Sequence, residues 1–256
     1  MEKSKRIIHL GGLAATLIAL TVYVLTLEPT ASFWDCGEYI ACAYRLEIAH
    51  PPGAPIFLLL GRVFSLFAGQ NPEKVAYWVN MLSAVVSATT IFFLYHTIVW
   101  FVRKAINDNY PYQNQLVLFS AIIGSLAFAF TDSFWFSAVE GEVYATSSLV
   151  TAAVFWAILQ WEAAYTGKLQ PASLRWLLLI FFLLGLSIGI HLLNLLAIPA
   201  IGLVIYYKTQ QPSGKKLLTT LVLTGLILGF IVFIYIPRTG HNWNLGRFVC
   251  SEHPEY

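Results

Sequence analysis

The sequence has few charged residues. Asp, Glu, Lys and Arg make up 11% of its 256 residues, whereas soluble domains carry about 25%. Hydrophobic residues make up 58%, which excludes an ordinary soluble domain and predicts a polytopic membrane protein. The formal net charge is only +2 and no basic run is interleaved with aromatic residues. Nucleic acid is therefore excluded as a partner.

The sequence also lacks the common signatures of metal and phosphate sites. Its three cysteines, Cys36, Cys42 and Cys250, do not have metal-site spacing. A phosphate-binding glycine-rich loop, a His-Glu-x-x-His motif and a nucleophile elbow are all missing. No metal site or cofactor is therefore predicted from a motif, although the acidic loops described below leave a divalent metal open.

Long apolar runs predict about seven membrane-spanning helices. The run 174–207 is too long for one span at about 1.5 Å per residue, so we divide it near Gly189-Ile-His191. The predicted fold is an all-α, polytopic transmembrane helical bundle over residues 1–237. A polar extracytoplasmic tail follows at 238–256, which we interpret as the start of a further C-terminal part. The predicted spans are 7–27, 75–102, 116–130, 143–161, two within 174–207, and 217–236.

The segment 28–74 between the first two spans is the predicted first extracytoplasmic loop. Within it, Pro55–Ala68 is apolar but short for a span, which favours an interfacial helix over a tilted or re-entrant segment. With the N-terminus inside, most Lys and Arg residues of the connecting segments fall on the cytoplasmic side. The acid-rich loops then share the extracytoplasmic face, because they alternate with those basic segments.

Two carboxylates directly after the first span are the leading catalytic candidates. Asp35 and Glu38 are three residues apart, so a helix would place them on one face. Carboxylates held close together in a site of low polarity can have separated pKa values, as acid/base chemistry requires. The alternative is a solvated loop in which both acids only favour the positive end of a helix dipole.

Three basic residues are candidate substrate contacts. The prolines that follow His50, in His50-Pro-Pro-Gly-Ala-Pro55, hold its imidazole at a rigid bend. Arg62 suits a lipid phosphate, which a guanidinium grips with two hydrogen bonds; the alternative is a side chain that only reaches for the headgroups. Arg238, just beyond the seventh span, can reach a phosphate at the outer surface.

Glu140, Glu142 and His191 complete the predicted set. The two glutamates are two residues apart, so on a helix at most one of them faces the same cavity as Asp35; the alternative is a helix N-terminal charge. His191 lies between apolar runs, where an imidazole costs free energy unless it meets a partner or a wet cavity. A turn at the membrane surface would satisfy it without a catalytic role.

Five sequence blocks together form a recognisable pattern. They are Trp34-Asp-Cys-Gly-Glu38, His50-Pro-Pro-Gly-Ala-Pro55, Leu59-Leu-Gly-Arg62, Trp135-Phe-Ser-Ala-Val-Glu-Gly-Glu-Val-Tyr144 and Gly185-Leu-Ser-Ile-Gly-Ile-His-Leu-Leu-Asn194. These blocks resemble the DUF2723 family of bacterial membrane proteins, which includes animal protein O-mannosyltransferase-like proteins and belongs to the GT-C superfamily of polyprenol-phosphate-sugar-dependent glycosyltransferases.

The resemblance implies a GT-C-like fold and a sugar transfer at the extracytoplasmic face of the bacterial cytoplasmic membrane. Its donor would be a polyprenyl-phosphate sugar, held among membrane lipids, and its acceptor a protein or glycan hydroxyl. The transfer would invert the anomeric carbon, with Asp35 as the general base, Glu38 beside it and Arg62 near the phosphate. Members of this family are usually much longer than this chain.

Two other functions stay open at this stage. A transporter, or a non-enzymatic protein that binds lipid-linked glycans, would also be a polytopic bundle, but transporters place polar sites near the bilayer midplane and often contain repeats. Here the polar residues cluster at one face and no repeat is evident, which favours the enzyme. A catalytically inactive membrane fragment that serves assembly is the other alternative.

Overall fold

A computed structural model describes residues 2–106, 111–211 and 213–240, with side chains at 4–106, 111–211, 213–230 and 233. These residues form ten α-helices and no β-strand, which confirms the all-α helical bundle. The helices are α1 (Glu2–Leu25), α2 (Cys36–Arg45), α3 (Pro55–Ser65), α4 (Val75–Ala105), α5 (Gln113–Ala129), α6 (Asp132–Val139), α7 (Val143–Ala164), α8 (Pro171–Ile188), α9 (Ala197–Thr209) and α10 (Gly214–Gly240).

Five helical segments of the described chain are long and apolar enough to cross a membrane, and a sixth is added if the bent pair α5–α6 is one span. About seven were predicted. The predicted seventh span, 217–236, is covered by α10, which continues to Gly240. Residues 241–256 of the predicted tail lie outside the described residues. The five segments are Ser4–Leu25, Pro72–Ala105, Val143–Ala164, Pro171–Ile188 and Leu192–Thr209.

The segment 131–142, predicted as a loop, contains a helix. After α5 the chain bends by 67° and continues as α6, so the predicted third span is one arm of a bent pair. The bend follows from the extended conformation of Thr131, which precedes the first turn of α6. Asp132 lies in that turn, where a carboxylate favours the positive end of the helix dipole.

The long helix α4 lies at the centre of the bundle and packs against α1, α3, α5 and α7. Two buried tyrosines strengthen this packing: Tyr95 of α4 donates to the carbonyl of Ile8, and Tyr23 of α1 donates to the carbonyl of Ala129, both at 2.8 Å. A buried hydroxyl without a partner costs free energy. These bonds therefore fix α1 against both of its neighbours.

The short helix predicted at Pro55–Ala68 is confirmed as α3 with a following 3₁₀ turn, Leu66–Ala68. Its proline stands at the first helical turn, where the missing N–H costs nothing. The N–H of Ile56 donates to the carbonyl of Gly189 at 2.8 Å. A Cβ on Gly189 would lie 2.6 Å from Ile56, so only glycine permits this approach.

The division of the long apolar run near Gly189-Ile-His191 is also confirmed. Helix α8 ends at Ile188, and a 3₁₀ turn, Leu192–Leu196, leads into α9. Because Gly189 rests on the start of α3, the break brings His191 to the end of the bundle that carries the first loop.

The opposite end of the bundle is held by an ion cluster. Glu162 of α7 accepts hydrogen bonds from Lys104 of α4 and Lys208 of α9, each at 2.9 Å. Lys104 lies about 36 Å beyond Asn80 along α4, so this cluster and the acidic first loop lie at opposite ends. One carboxylate therefore joins the ends of three helices.

We expect Glu162→Gln to lower the free energy of unfolding by roughly 0.5–1.5 kcal/mol, because two partly exposed ion pairs are lost together. Thermal unfolding in detergent measures this loss, which salt should reduce by screening. Glu73→Gln, on the exposed 3₁₀ turn before α4, is the matched control. Equal unfolding temperatures for the Glu162 and Glu73 variants would show that the cluster contributes nothing.

Candidate active site

The candidate site is built around the start of α2. Asp35 stands at the N-cap of α2 and Glu38 lies in its first turn. The preceding residue, Trp34, has a φ of +58°, a conformation that is uncommon for residues with a Cβ. The Asp35 carboxylate makes no capping hydrogen bond, and the side chain is 57% exposed. It is therefore free to meet a substrate.

His50 brings the two predicted carboxylates together. Its backbone N–H donates to Oε1 of Glu38 at 2.6 Å, and its Nδ1 lies 3.0 Å from Oε2 of the same carboxylate. Its Nε2 is 3.9 Å from Oδ2 of Asp35. Candidate ligand atoms of all three side chains lie within 4.8 Å of one another, a set that can hold a metal ion. The Glu38 carboxylate and His50 are already hydrogen-bonded to each other.

The two glutamates between α6 and α7 are both buried, on extended backbone rather than on a helix. Glu142 is 4% exposed. Burial, followed by the neighbouring charges of Glu140 and Asp35, raises its pKa to about 7, although a hydrogen bond from the Asp35 backbone opposes this shift. Burial also raises the pKa of Glu140, which the Ser32 hydroxyl partly offsets. The Asp35 backbone donates a hydrogen bond to Glu142.

Glu142 makes stability depend on pH. The pKa is raised from 4.5 to about 7, so the folded protein keeps a proton that the unfolded chain releases, and stability falls as pH rises through this window. Glu142→Gln removes the effect. We expect the free energy of unfolding of this variant, from thermal unfolding in detergent, to rise relative to that of wild type as the pH goes from 4.5 to 7, by at most about 3 kcal/mol. Glu73→Gln is the control; a pH-independent difference for Glu142→Gln would contradict this assignment.

Asn80 of α4, which the sequence analysis missed, ties this end of the bundle together. The fully buried side chain donates from Nδ2 to the carbonyls of Glu28 at 2.7 Å and Thr30 at 2.9 Å. A Cβ on Gly141 would lie 2.8 Å from its Oδ1. Asn80 therefore holds the loop before α2 next to the segment that carries Glu140 and Glu142. A polar residue inside an apolar span was the available signal.

Tyr39 and Tyr144 were also missed, and they link His191 to the cluster. The Tyr39 ring lies 5.6 Å from the His50 ring, and burial and then the charge of Asp35 raise the pKa of the Tyr39 hydroxyl. Tyr144 interacts electrostatically with the Tyr39 hydroxyl, and the Tyr144 ring lies 5.5 Å from that of His191. Burial lowers the pKa of His191, which favours a neutral imidazole.

The structure does not bring Arg62 to this cluster. Its guanidinium donates to the carbonyl of Tyr44 at 2.7 Å and lies over the Tyr44 ring. Tyr44 is at the far end of α2, about 14 Å along the helix from Asp35. Arg238 lies in α10, but its side chain is outside the described part of the structure.

A separate cavity of about 360 Å³ lies between α4, α5 and α7. It is lined by four apolar side chains and by five that carry hydroxyl groups. None of the predicted site residues lines it. The hydroxyl-bearing residues are Thr90, Thr97, Ser147, Ser148 and Thr151.

Comparison with known proteins places these features in one family. Residues 35–214 match the family described as the protein O-mannosyl-transferase TMEM260 N-terminal domain. The match contains every predicted site residue except Arg238. No solved structure matches the chain.

Two curated relatives carry the same name. Protein O-mannosyl-transferase tmem260 of Dictyostelium discoideum is 26% identical over 237 residues, which cover 87% of this chain and 27% of the relative. Protein O-mannosyl-transferase TMEM260 of Mus musculus is 25% identical over 233 residues, which cover 90% of this chain and 30% of the relative. The chain thus spans less than a third of the length of these relatives.

Proposed function

Because the chain belongs to the family of the protein O-mannosyl-transferase TMEM260 N-terminal domain, we propose that it is a membrane glycosyltransferase of GT-C type that uses a polyprenyl-phosphate sugar. A mannose-like sugar would pass to a hydroxyl of a protein or glycan. The observation that carries this proposal is the exposed Asp35 carboxylate, which lies beside His50 at one end of a multi-pass bundle. The backbone of the same residue donates to the buried Glu142. A lipid-borne donor and a water-borne acceptor can meet there.

Asp35 is the proposed general base. Its carboxylate takes the proton of the acceptor hydroxyl while the hydroxyl oxygen bonds to the anomeric carbon. The bond from that carbon to the phosphate oxygen breaks, and its electron pair leaves with the lipid phosphate. Attack and departure on opposite faces of the sugar invert the anomeric carbon. The buried Glu142 is compatible with this role because its raised pKa favours a neutral carboxyl group next to Asp35.

Of the proposed contacts to the lipid phosphate, Arg62 lies far from Asp35. Arg62 is hydrogen-bonded to Tyr44, which lies about 14 Å from Asp35 along α2. This is farther than the 6.5–9.5 Å that separates groups acting on opposite faces of a sugar in inverting glycosidases. We therefore assign Arg62 to lipid headgroups beside α3, and keep Arg238 as a candidate for the departing phosphate. His191, next to Tyr144, is a candidate contact for the sugar.

The proposed orientation places the N-terminus in the cytoplasm and the active face outside it. The ion cluster of Lys104, Glu162 and Lys208 lies at the end of the bundle opposite Asp35, and an excess of Lys and Arg marks cytoplasmic segments. The resemblance to bacterial proteins favours the bacterial cytoplasmic membrane.

Transfer of label tests the proposal. The purified protein in detergent is incubated with radiolabelled polyprenyl-phosphate mannose and a Ser/Thr-rich peptide, and the anomer of the product is identified with α- and β-specific mannosidases. Labelled peptide of inverted anomer is the expected result. Binding of the donor without transfer of the sugar to peptide or glycan acceptors would overturn the proposed enzymatic function. It would support a protein that binds lipid-linked glycans, which the hydroxyl-lined cavity between α4, α5 and α7 also fits.

A further inference from the structure

Two aromatic side chains directly before Asp35 are exposed. Phe33 is 76% exposed and Trp34 is 86% exposed. Neither belongs to a hydrophobic cluster of the described part of the bundle. A buried aromatic side chain removes about 150–250 Å² of surface from water, and these two residues contribute little of this kind to the core. Folding alone therefore does not explain their position.

The chain on either side of this aromatic pair is tied to the buried glutamates. The Ser32 hydroxyl is hydrogen-bonded to Glu140, and the backbone N–H of Asp35 donates to Glu142. Both glutamates lie on extended backbone between α6 and α7. Because these bonds hold residues 32 and 35, the two residues between them form the outward tip of the loop.

Trp34 is held at this tip on an unfavourable backbone conformation. Its φ of +58° lies in the left-handed region, where a bulky residue is an outlier. Such a conformation persists only where the surrounding structure imposes it, and outliers of this kind are concentrated at active sites and ligand sites. The loop thus holds an indole out of the core and directly beside the proposed base, which suits a preformed surface for a ligand.

The proposed reaction determines which ligand reaches these rings. The Cα atoms of Trp34 and Asp35 are about 3.8 Å apart, as across any trans peptide, and the acceptor hydroxyl meets the Asp35 carboxylate. The lipid phosphate leaves from the opposite face of the sugar, so the rings lie on the acceptor side. Asp35 is itself 57% exposed, and a carboxylate is costly among acyl chains. This edge of the site therefore suits a water-borne acceptor.

We propose that Phe33 and Trp34 bind the acceptor peptide and favour an apolar residue, proline above all, beside the accepting Ser or Thr, an inference that rests on the proposed function. A peptide advances about 3.3–3.6 Å per residue, so a neighbour of the accepting residue reaches the rings. Proline-rich segments dock on exposed aromatic side chains with little loss of entropy. An acidic neighbour is disfavoured, because the carboxylates of Asp35 and Glu38 repel it.

Binding of dye-labelled peptides, measured by fluorescence anisotropy on the whole chain in detergent, tests this surface without turnover. Each peptide carries one Ser, flanked on both sides by Pro, Gly or Asp. We expect the Pro peptide to bind about tenfold more tightly than the Gly peptide, the size of one aromatic contact, and the Asp peptide to bind most weakly. Trp34→Gly should remove the preference for Pro, and Trp34→Phe should keep most of it.

The variant Trp34→Gly removes the ring without preventing folding, because glycine readily adopts a positive φ. Its unfolding temperature should equal or exceed that of wild type. Tyr112→Gly is the matched control. Tyr112 is 77% exposed with a φ of +62°, but it lies between α4 and α5, at the end of the bundle that carries the ion cluster. Its substitution should leave peptide binding unchanged.

The outcomes separate this surface from the proposed function. A wild type that prefers the Pro peptide but transfers no sugar to any acceptor overturns the proposed function alone. A wild type that transfers sugar but binds none of the peptides, or binds all three equally, overturns the acceptor surface alone, as does a folded Trp34→Gly that keeps the preference. If Trp34→Gly raises only the KM for the polyprenyl-phosphate donor, the rings contact the bilayer or the donor, and the acceptor surface is likewise overturned.

Discussion

Asp35→Asn is expected to lower the kcat of sugar transfer by about 10²- to 10⁴-fold, the contribution of a positioned general base. An amide has the shape of the carboxylate but cannot take the acceptor proton. The backbone N–H of Asp35, which donates to Glu142, is unchanged. Because the side chain is exposed and makes no capping bond, the free energy of unfolding should stay within about 0.5 kcal/mol of wild type.

The matched control for this loss is Asp132→Asn. Asp132 is an exposed acid in the first turn of α6, at the same end of the bundle, and its substitution should leave transfer unchanged. The measurement is the initial rate at saturating donor and acceptor for both variants and wild type. An Asp35→Asn enzyme with wild-type kcat would remove Asp35 as the base.

Asn80→Ala is expected to abolish most transfer and to destabilise the protein by about 1–3 kcal/mol. The substitution leaves the carbonyls of Glu28 and Thr30 without the donor of their part-buried hydrogen bonds, and an unsatisfied polar group of this kind carries a cost of this size. It also removes the side chain that packs on Gly141. The loop before α2 and the segment with Glu142 should then lose their common anchor.

Thermal unfolding and transfer rates together check the role of Asn80. Asn80→Asp keeps the shape of the side chain but not its N–H donors, so it should also reduce transfer. Asn71→Ala is the control: Asn71 is exposed, and its side chain accepts only from Glu73 at the start of a 3₁₀ turn. If Asn80→Ala retained wild-type stability and rate, Asn80 could not be the anchor.

The helices were largely predictable because the local sequence determines where apolar runs begin, end and are interrupted. Pro55 marks the start of α3, and the polar break at Gly189–His191 divides the long apolar run as predicted. The bend before α6 was not predicted. Hydropathy reports whether a segment is apolar, whereas the direction of a short apolar helix depends on packing against neighbouring helices.

The candidate site was predictable in part. The spacing of Asp35 and Glu38 indicated paired acids, and His50 was singled out by its prolines. Its hydrogen bonds to Glu38 were not predicted, because they join residues on either side of a turn. Arg62 was predicted near a phosphate. In the structure, its guanidinium contacts Tyr44, and this contact between α3 and α2 is not encoded in any local sequence pattern.

The network around Asn80 bears on how the protein is made. A membrane protein is synthesised from its N-terminus, and its segments insert in order. The loop with Asp35 emerges first, yet its anchor on α4 and its neighbour Glu142 arrive only after further segments have been translated. The Asp35 carboxylate is thus present early in biogenesis, while the buried neighbours that surround it are assembled late.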